Sequence, residues 1–275
     1  MHVVWLTIDG LQPAYLGPYG CEWIETPAFD RLAARGVVFD WHFAGSPNEP
    51  PDTAAPDCPV GRDLRSARKL AREPHAILRL DWPPPIPLRP AAAIDVDDEE
   101  TFSRLQEEYA AGVIELDEKL ASLSDELDAR GWGDAGWIVT SARGFPLGEH
   151  GVVGFPGPLH EELIHVPLII AWPGGSHAGR RVSELTATMD LAAAIHLFFA
   201  DGPSRGPSPL PPRDRILIAD GQSRGIRTRD WYLLRDASST KLFVKPDDRW
   251  EVNDVASQHE DVVTALSEPR SERAD

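Results

Sequence analysis

The sequence predicts an α/β fold built on a mainly parallel sheet sandwiched by helices, and three observations carry that expectation. Residues 136–140, Gly-Trp-Ile-Val-Thr, form the β-branched apolar run that a strand buried on both faces requires. Residues 98–130 hold the clearest helical pattern, with apolar side chains at Phe102, Leu105, Tyr109, Val113, Leu116, Leu120, Leu123 and Leu127. Their spacings of three and four draw one continuous stripe, with Glu and Asp on the opposite face. This helix feeds directly into the 136–140 run, and strands alternating with helices form a mainly parallel sheet covered on both sides.

The other elements follow in chain order. Residues 2–9 read as a first strand ending in the carboxylate of Asp9. Thr26 reads as a helix N-cap with Pro27 at the first helical position, and Gly36 is the stop signal before another short strand. Residues 62–72, RDLRSARKLAR, form the one basic stretch; they read as a solvated helix face or as an anion or partner site. Residues 75–81 and 215–220 are additional strands. Residues 83–90 and 203–212 are Pro-rich and read as linkers or surface loops, because prolines lack backbone donors and hold the chain extended. Gly131 supplies the stop after the long helix. Residues 161–174 supply another buried strand, closed by a Pro-Gly turn.

Composition limits the function classes. With 275 residues, 42% of them hydrophobic, the chain can bury a sizeable core as one compact domain. A formal charge of −17 argues against nucleic acid and anionic membrane as partners, since phosphate surfaces demand clustered Lys and Arg. Two cysteines, Cys21 and Cys58, make no disulfide framework and suit a reducing compartment, although a single disulfide stays open. The longest apolar runs, such as 191–200, fall far short of the roughly 18 residues that suggest a membrane span, and no signal-peptide pattern opens the chain. A soluble, cytoplasmic protein is expected.

The segment 140–151, TSARGFPLGEHG, is the most informative, because it follows a buried strand at the sheet edge where open α/β folds bind ligands. Together with EELIHVPLIIAWPG at 161–174, it resembles the C-terminal signature of the sulfatases, within the alkaline-phosphatase-like superfamily, written TSDHG, GEHG and EES-x-R-VPLIIRWPG. LGPYG at 16–20 and TPAFDRLAARGVVF at 26–39 are similar to the family's N-terminal blocks. GIRTRDWYLLR at 225–235 and KLFV at 241–244 look like its C-terminal antiparallel strands. The resemblance implies an alkaline-phosphatase-like core over 1–212, a C-terminal part of the same domain with a strand and an antiparallel hairpin over 213–260, and a tail over 261–275. It also implies a shortened member, with the loss falling between the N-terminal block and the 136–144 strand.

Active relatives hydrolyse sulfate esters with a divalent cation, calcium or magnesium, and a formylglycine nucleophile made within a C/S-x-P-x-R motif. Hard cations take six or more oxygen ligands and favour several carboxylates. By the resemblance, Asp9 is the only retained metal ligand. Its neighbour is Gly10 where a second Asp often stands, and Ala142 and Arg143 replace the later ligands. No bound metal or other cofactor is therefore expected. Arg143 is instead a candidate anion-binding residue, and its guanidinium is expected to occupy the vacated position and pair with Asp9. Cys58-Pro-Val-Gly-Arg62 is the nearest match to the nucleophile motif, with proline moved from the third position to the second. Cys58, Arg62 and His150 are the candidate catalytic residues. For Cys58 the other reading is an ordinary loop cysteine; for His150, a structural pair with Glu149. The family's DPH element has no counterpart in Leu80-Asp-Trp-Pro-Pro-Pro85, and Gly154-Phe-Pro156 stands where a lysine is expected. His160 and His165 read as separate side chains around a strand entry, not as a metal pair.

Three functions remain open from the sequence. The chain is an inactive member of a hydrolase family, or a sulfuric- or phosphoric-ester hydrolase with a rebuilt site that uses Arg143, Arg62 and His150. The third is an anion- or protein-binding scaffold. The partners implied are a sulfated or phosphorylated small molecule or a protein.

Overall fold

A computed structural model describes residues 1–47, 58–95, 98–192, 195, 199, 208, 210–221 and 223–268. The first half runs β1 (His2–Ile8), α1 (Pro27–Ala34), β2 (Val37–Phe43), β3 (Val60–Gly61), α2 (Leu64–Leu70), β4 (Ala76–Trp82), β5 (Ala92–Ala93) and α3 (Glu99–Leu127). The second runs β6 (Gly136–Thr140), β7 (Val152–Val153), α4 (Glu161–Ile164), β8 (Leu168–Ala171), β9 (Arg180–Ala187), β10 (Arg215–Asp220), β11 (Ser223–Thr228), β12 (Trp231–Arg235), β13 (Thr240–Val244) and α5 (Glu260–Ser267). The main sheet has the order β3-β4-β1-β6-β8-β2-β9, and β10 to β13 form a separate four-stranded sheet.

The main sheet is parallel except around β8, which runs antiparallel to both β6 and β2. The segment before β8 is one short helical turn, α4, which lets β8 enter from the opposite edge without a crossover helix. Side chains alternate along β1. Val4, Leu6 and Ile8 join the larger core with α1, α2 and α3. Val3 and Trp5 point the other way, into a second layer with Phe39, Ile170, Leu191, Ile195 and Leu210. A third apolar cluster joins Phe43, Leu163 and Ile164 to Ile218, Tyr232 and Phe243, seating the C-terminal antiparallel sheet against the main one. The small C-terminal antiparallel element expected from the resemblance is thus present as β10–β13.

The long helix starts where Asp98 accepts a hydrogen bond from the Thr101 amide and stops at Gly131, whose φ of 89° leaves the helical region. Its stripe is buried as expected from Leu105 to Leu127, with Phe102 half-buried, but the division into apolar and charged faces is incomplete. Asp117 is 3% exposed and accepts from the amides of Ala28 and Phe29 at 2.9–3.0 Å. A carboxylate borrowed from α3 thus caps the start of α1, where unpaired N–H groups and the helix dipole favour negative charge. Thr26 occupies the N-cap position without capping through its side chain; its hydroxyl accepts instead from the Gly17 amide at 2.9 Å.

Neither Cys21 nor Cys58 forms a disulfide among the described residues. The basic stretch after Arg62 becomes α2, capped by Asp63, with Ala67 and Leu70 turned into the core. The stretch expected as a tail begins as α5. Residues 269–275, most of the 203–212 Pro-rich stretch and much of the 191–200 apolar run lie outside the described residues. Among the described residues no helix is long and apolar enough to cross a membrane.

Candidate functional site

The site is assembled where β1 and β6 end. The two strands are parallel, with Thr7 level with Thr140, so Asp9 and residues 141–143 emerge side by side at the carboxyl edge of the sheet. β2 runs in the same direction and delivers Pro47 to the same edge. Arg143 Nη2 donates to Asp9 Oδ2 at 2.8 Å, and Arg143 Nη1 donates to the Pro47 carbonyl at 3.4 Å. The guanidinium also lies over the Phe155 ring, 3.7 Å from its centroid. The Arg143 and Asp9 side chains are 15% and 25% exposed, so the pair is largely removed from water. Asp9 Oδ1 and Arg143 Nε are buried without a hydrogen-bond partner.

Several contacts hold the loops that carry this pair. Tyr109 of α3 donates through its hydroxyl to the Gly10 carbonyl at 2.6 Å and accepts from the Gln12 amide at 2.8 Å. The Ser141 hydroxyl accepts from the Leu11 amide at 3.4 Å, tying the two strand ends together. Gly10 has a φ of 66°, and a Cβ there would stand 3.0 Å from Pro84 Cβ. A second Asp at this position would therefore be strained. Gly144 donates to the Leu163 carbonyl at 2.7 Å, and a Cβ on it would lie 1.9 Å from the Glu162 carbonyl oxygen. That close approach seats the Arg143 loop directly on α4.

A second polar cluster lies on the other side of α4, between the main sheet and the C-terminal one. His160 Nδ1 contacts Glu251 Oε2, and Lys245 Nζ lies 2.9 Å from Glu251 Oε1 and 3.3 Å from Glu161 Oε1. Arg227 Nε donates to Glu161 Oε1 at 2.9 Å. His150 stacks on His160 with ring centroids 3.5 Å apart, and its Nε2 lies 3.5 Å from Glu162 Oε1. Burial alone would raise the Glu161 carboxyl, but Arg227 and Lys245 bring it below its ordinary range. Glu162 has no such partner and is pushed well above that range by burial and by Glu149. Burial, then the neighbouring His160, lowers His150 to about 4.

The candidate residues read from the sequence thus fall into three places. Asp9 and Arg143 meet, with Ala142 beside them. His150 belongs to the second cluster, and its partner there is Glu162; Glu149 accepts from the Leu147 amide at 2.7 Å. The strand register corrects the expectation for Cys58 and Arg62. Val60 is level with Ile77 and Ile77 with Val3, so Asp9 lies six residues further along, about 20 Å at 3.3 Å per residue. Cys58 precedes Val60 and sits toward the amino edge, against the second core layer. Arg62 is exposed beside the edge strand β3. Neither reaches Asp9.

His160 and His165 are separate, as expected, but the reason is the helical turn α4 between them. His165 Nε2 pairs with the Asp40 carbonyl at 2.9 Å, whereas His160 joins His150. The sequence did not point to Glu251, Lys245 or Arg227 as partners of these histidines. They lie 67–101 residues from His150 and His160 in the chain, and no local spacing links them.

At this edge the Asp9 carboxylate is paired with a guanidinium, and among the described residues no group of three ligating side chains includes it.

A mostly parallel sheet covered by helices, a site at its carboxyl edge and a small antiparallel sheet packed beside it define an alkaline-phosphatase-like α/β protein. The family model for sulfatases matches residues 70–196. An N-acetylglucosamine-6-O-sulfatase of Bacteroides thetaiotaomicron is 35% identical over 92 residues, which are 33% of this chain and 16% of that relative. The structure of BT1596, a 2-O GAG sulfatase, superposes with a TM-score of 0.75 at 14% identity, covering 96% of this chain and 89% of the other. BT4656, solved in complex with its substrate D-glucosamine-2-N,6-O-disulfate, gives 0.70 at 16% identity, covering 96% of each chain. The chain is thus similar to the sulfatases in sequence over residues 70–196 and in fold over nearly its whole length.

Proposed function

We propose that this chain is a sulfatase-family protein that has given up cation-assisted ester hydrolysis and retains the sheet edge as a binding site for a sulfated small molecule. The observation that carries this reading is the Arg143–Asp9 contact of 2.8 Å. It neutralises the carboxylate that a metal would need and puts a permanent cation where a divalent ion would otherwise sit. Two cations held a few Å apart without further anions repel by several kcal/mol, about 4 at 4 Å and an effective dielectric of 20. The separation of Cys58 from Asp9 supports the loss of turnover, because a nucleophile must stand within reach of the reacting ester. Sulfated ligands are the natural first candidates because BT4656 binds a disulfated glucosamine.

The test is calorimetric titration of the purified chain with calcium and with magnesium, alongside hydrolysis of an aryl sulfate and an aryl phosphate. Neither stoichiometric metal binding nor turnover is expected. Calcium binding lost on Asp9→Asn, accompanied by turnover, would overturn the proposal. Turnover without metal that disappears in Arg143→Met would favour a hydrolase with a rebuilt site.

A further inference from the structure

Away from the Asp9–Arg143 pair, one cluster has the composition of a transition-metal site. His150, His160 and Glu251 each offer a ligand atom, and these atoms all lie within 4.8 Å of one another. They come from three separate parts of the chain: the Gly148–Gly151 turn, the residue preceding α4, and the turn following β13. Two imidazoles and a carboxylate are a common zinc donor set, in which a water or a further ligand completes the tetrahedron.

Burial and charge point the same way. His160 and Glu251 are each 4% exposed, whereas the His150 side chain is 20% exposed and leaves an approach from solvent. Glu162 Oε1 is buried without a hydrogen-bond partner and faces His150 Nε2 at 3.5 Å. Arg227 and Lys245 balance Glu161, whereas among the described residues Glu162 has no such ion pair, so a divalent ion at the two rings would supply the positive charge this buried carboxylate lacks. Glu251 also holds a φ of 54°, a conformation that costs a non-glycine residue energy and that its surroundings must maintain. Lys245, whose Nζ lies 2.9 Å from Glu251 Oε1, provides the outer ion pair that fixes a ligating carboxylate.

We propose that His150, His160 and Glu251 form a binding site for a borderline transition-metal cation, zinc in the first instance, between the main sheet and the C-terminal sheet. The ion enters at the contact between His160 Nδ1 and Glu251 Oε2. The hydrogen that Nδ1 shares with Glu251 Oε2 leaves that nitrogen as the metal binds, and the ring binds through Nδ1 as the tautomer with its hydrogen on Nε2. His150 supplies the third ligand. The two rings are stacked within 10° of parallel, which aims their lone pairs side by side, so His150, the more exposed ring, rotates out of the stack on loading. Such a site would clamp the C-terminal sheet to the core. It is independent of the fate of the Asp9 position.

The experiment is titration of the metal-stripped full chain with zinc chloride by calorimetry, with cobalt(II) substituted to read coordination from its visible absorption. The set comprises the wild type, His150→Ala, His160→Ala and Asp9→Asn. One equivalent of zinc is expected in the wild type and in Asp9→Asn, with a tetrahedral cobalt spectrum. His150→Ala should bind at least tenfold more weakly. His150 is the most exposed of the three ligands, so this variant is the one expected to stay folded, which far-ultraviolet circular dichroism checks. Absence of stoichiometric zinc binding by the wild type would overturn the proposal. So would binding that both histidine variants retain at wild-type affinity, or binding that Asp9→Asn abolishes.

Discussion

Breaking the Arg143–Asp9 pair should reveal how far it substitutes for a metal. At 2.8 Å and an effective dielectric of 20, the Coulomb attraction is about 6 kcal/mol before solvation is counted. Taking both groups largely out of water offsets most of that gain, and their 15% and 25% exposure weakens what remains. A coupling of about 1–3 kcal/mol is expected from a double-mutant cycle of Arg143→Met and Asp9→Asn. Arg143→Met alone should cost more, about 2–4 kcal/mol, because it also removes the contact with Phe155 and leaves both Asp9 oxygens without a donor among the described residues. Asp9→Asn alone should cost less, since a neutral amide still accepts from the guanidinium. The double variant should recover part of the loss. Urea unfolding of the four proteins measures the cycle, with unchanged slopes confirming a common unfolding transition. A coupling below about 0.5 kcal/mol, or an Arg143→Met protein as stable as the wild type, would refute the reasoning that the guanidinium stands in for the cation.

Two further outcomes follow from buried polar groups. Asp117→Ala should destabilise the protein by about 3–5 kcal/mol in urea, since it leaves the Ala28 and Phe29 amides unpaired in the core; a loss under 1 kcal/mol would mean that water replaces the carboxylate. His42 is fully buried, and desolvation lowers it to about 3 from an ordinary 6.5, so the unfolded chain binds a proton that the native state refuses between those values. Its contribution to stability is therefore complete above pH 6.5 and lost as pH falls, at up to about 1.4 kcal/mol per unit. Unfolding midpoints measured from pH 7 to pH 5 should decline in the wild type and decline less in His42→Leu; equal slopes would rule out His42 as the titrating group.

The sequence by itself determined the elements whose signals are local. A buried strand at 136–140, the long stripe from Phe102 to Leu127 and the stops at Gly36 and Gly131 all follow from patterns spanning a few residues. The motif blocks in their order pointed to the family, and the substitutions at Ala142 and Arg143 pointed to a pairing with Asp9, because both positions are strand ends in a fold of known layout. Tertiary structure alone decided matters that depend on register and on contacts between distant segments. The level of Val60 against Val3 removes Cys58 and Arg62 from the site, and no reading of the C-P-V-G-R spacing contains that information. The antiparallel entry of β8 and the helical turn at α4 bring His160 back to His150 and Glu251. Asp117 looked like one more charge on a solvated face until the packing of α1 showed two amides that needed an acceptor. Periodicity records which face of an element is apolar; which unpaired group on a neighbouring element a side chain must satisfy is settled only when the two elements pack.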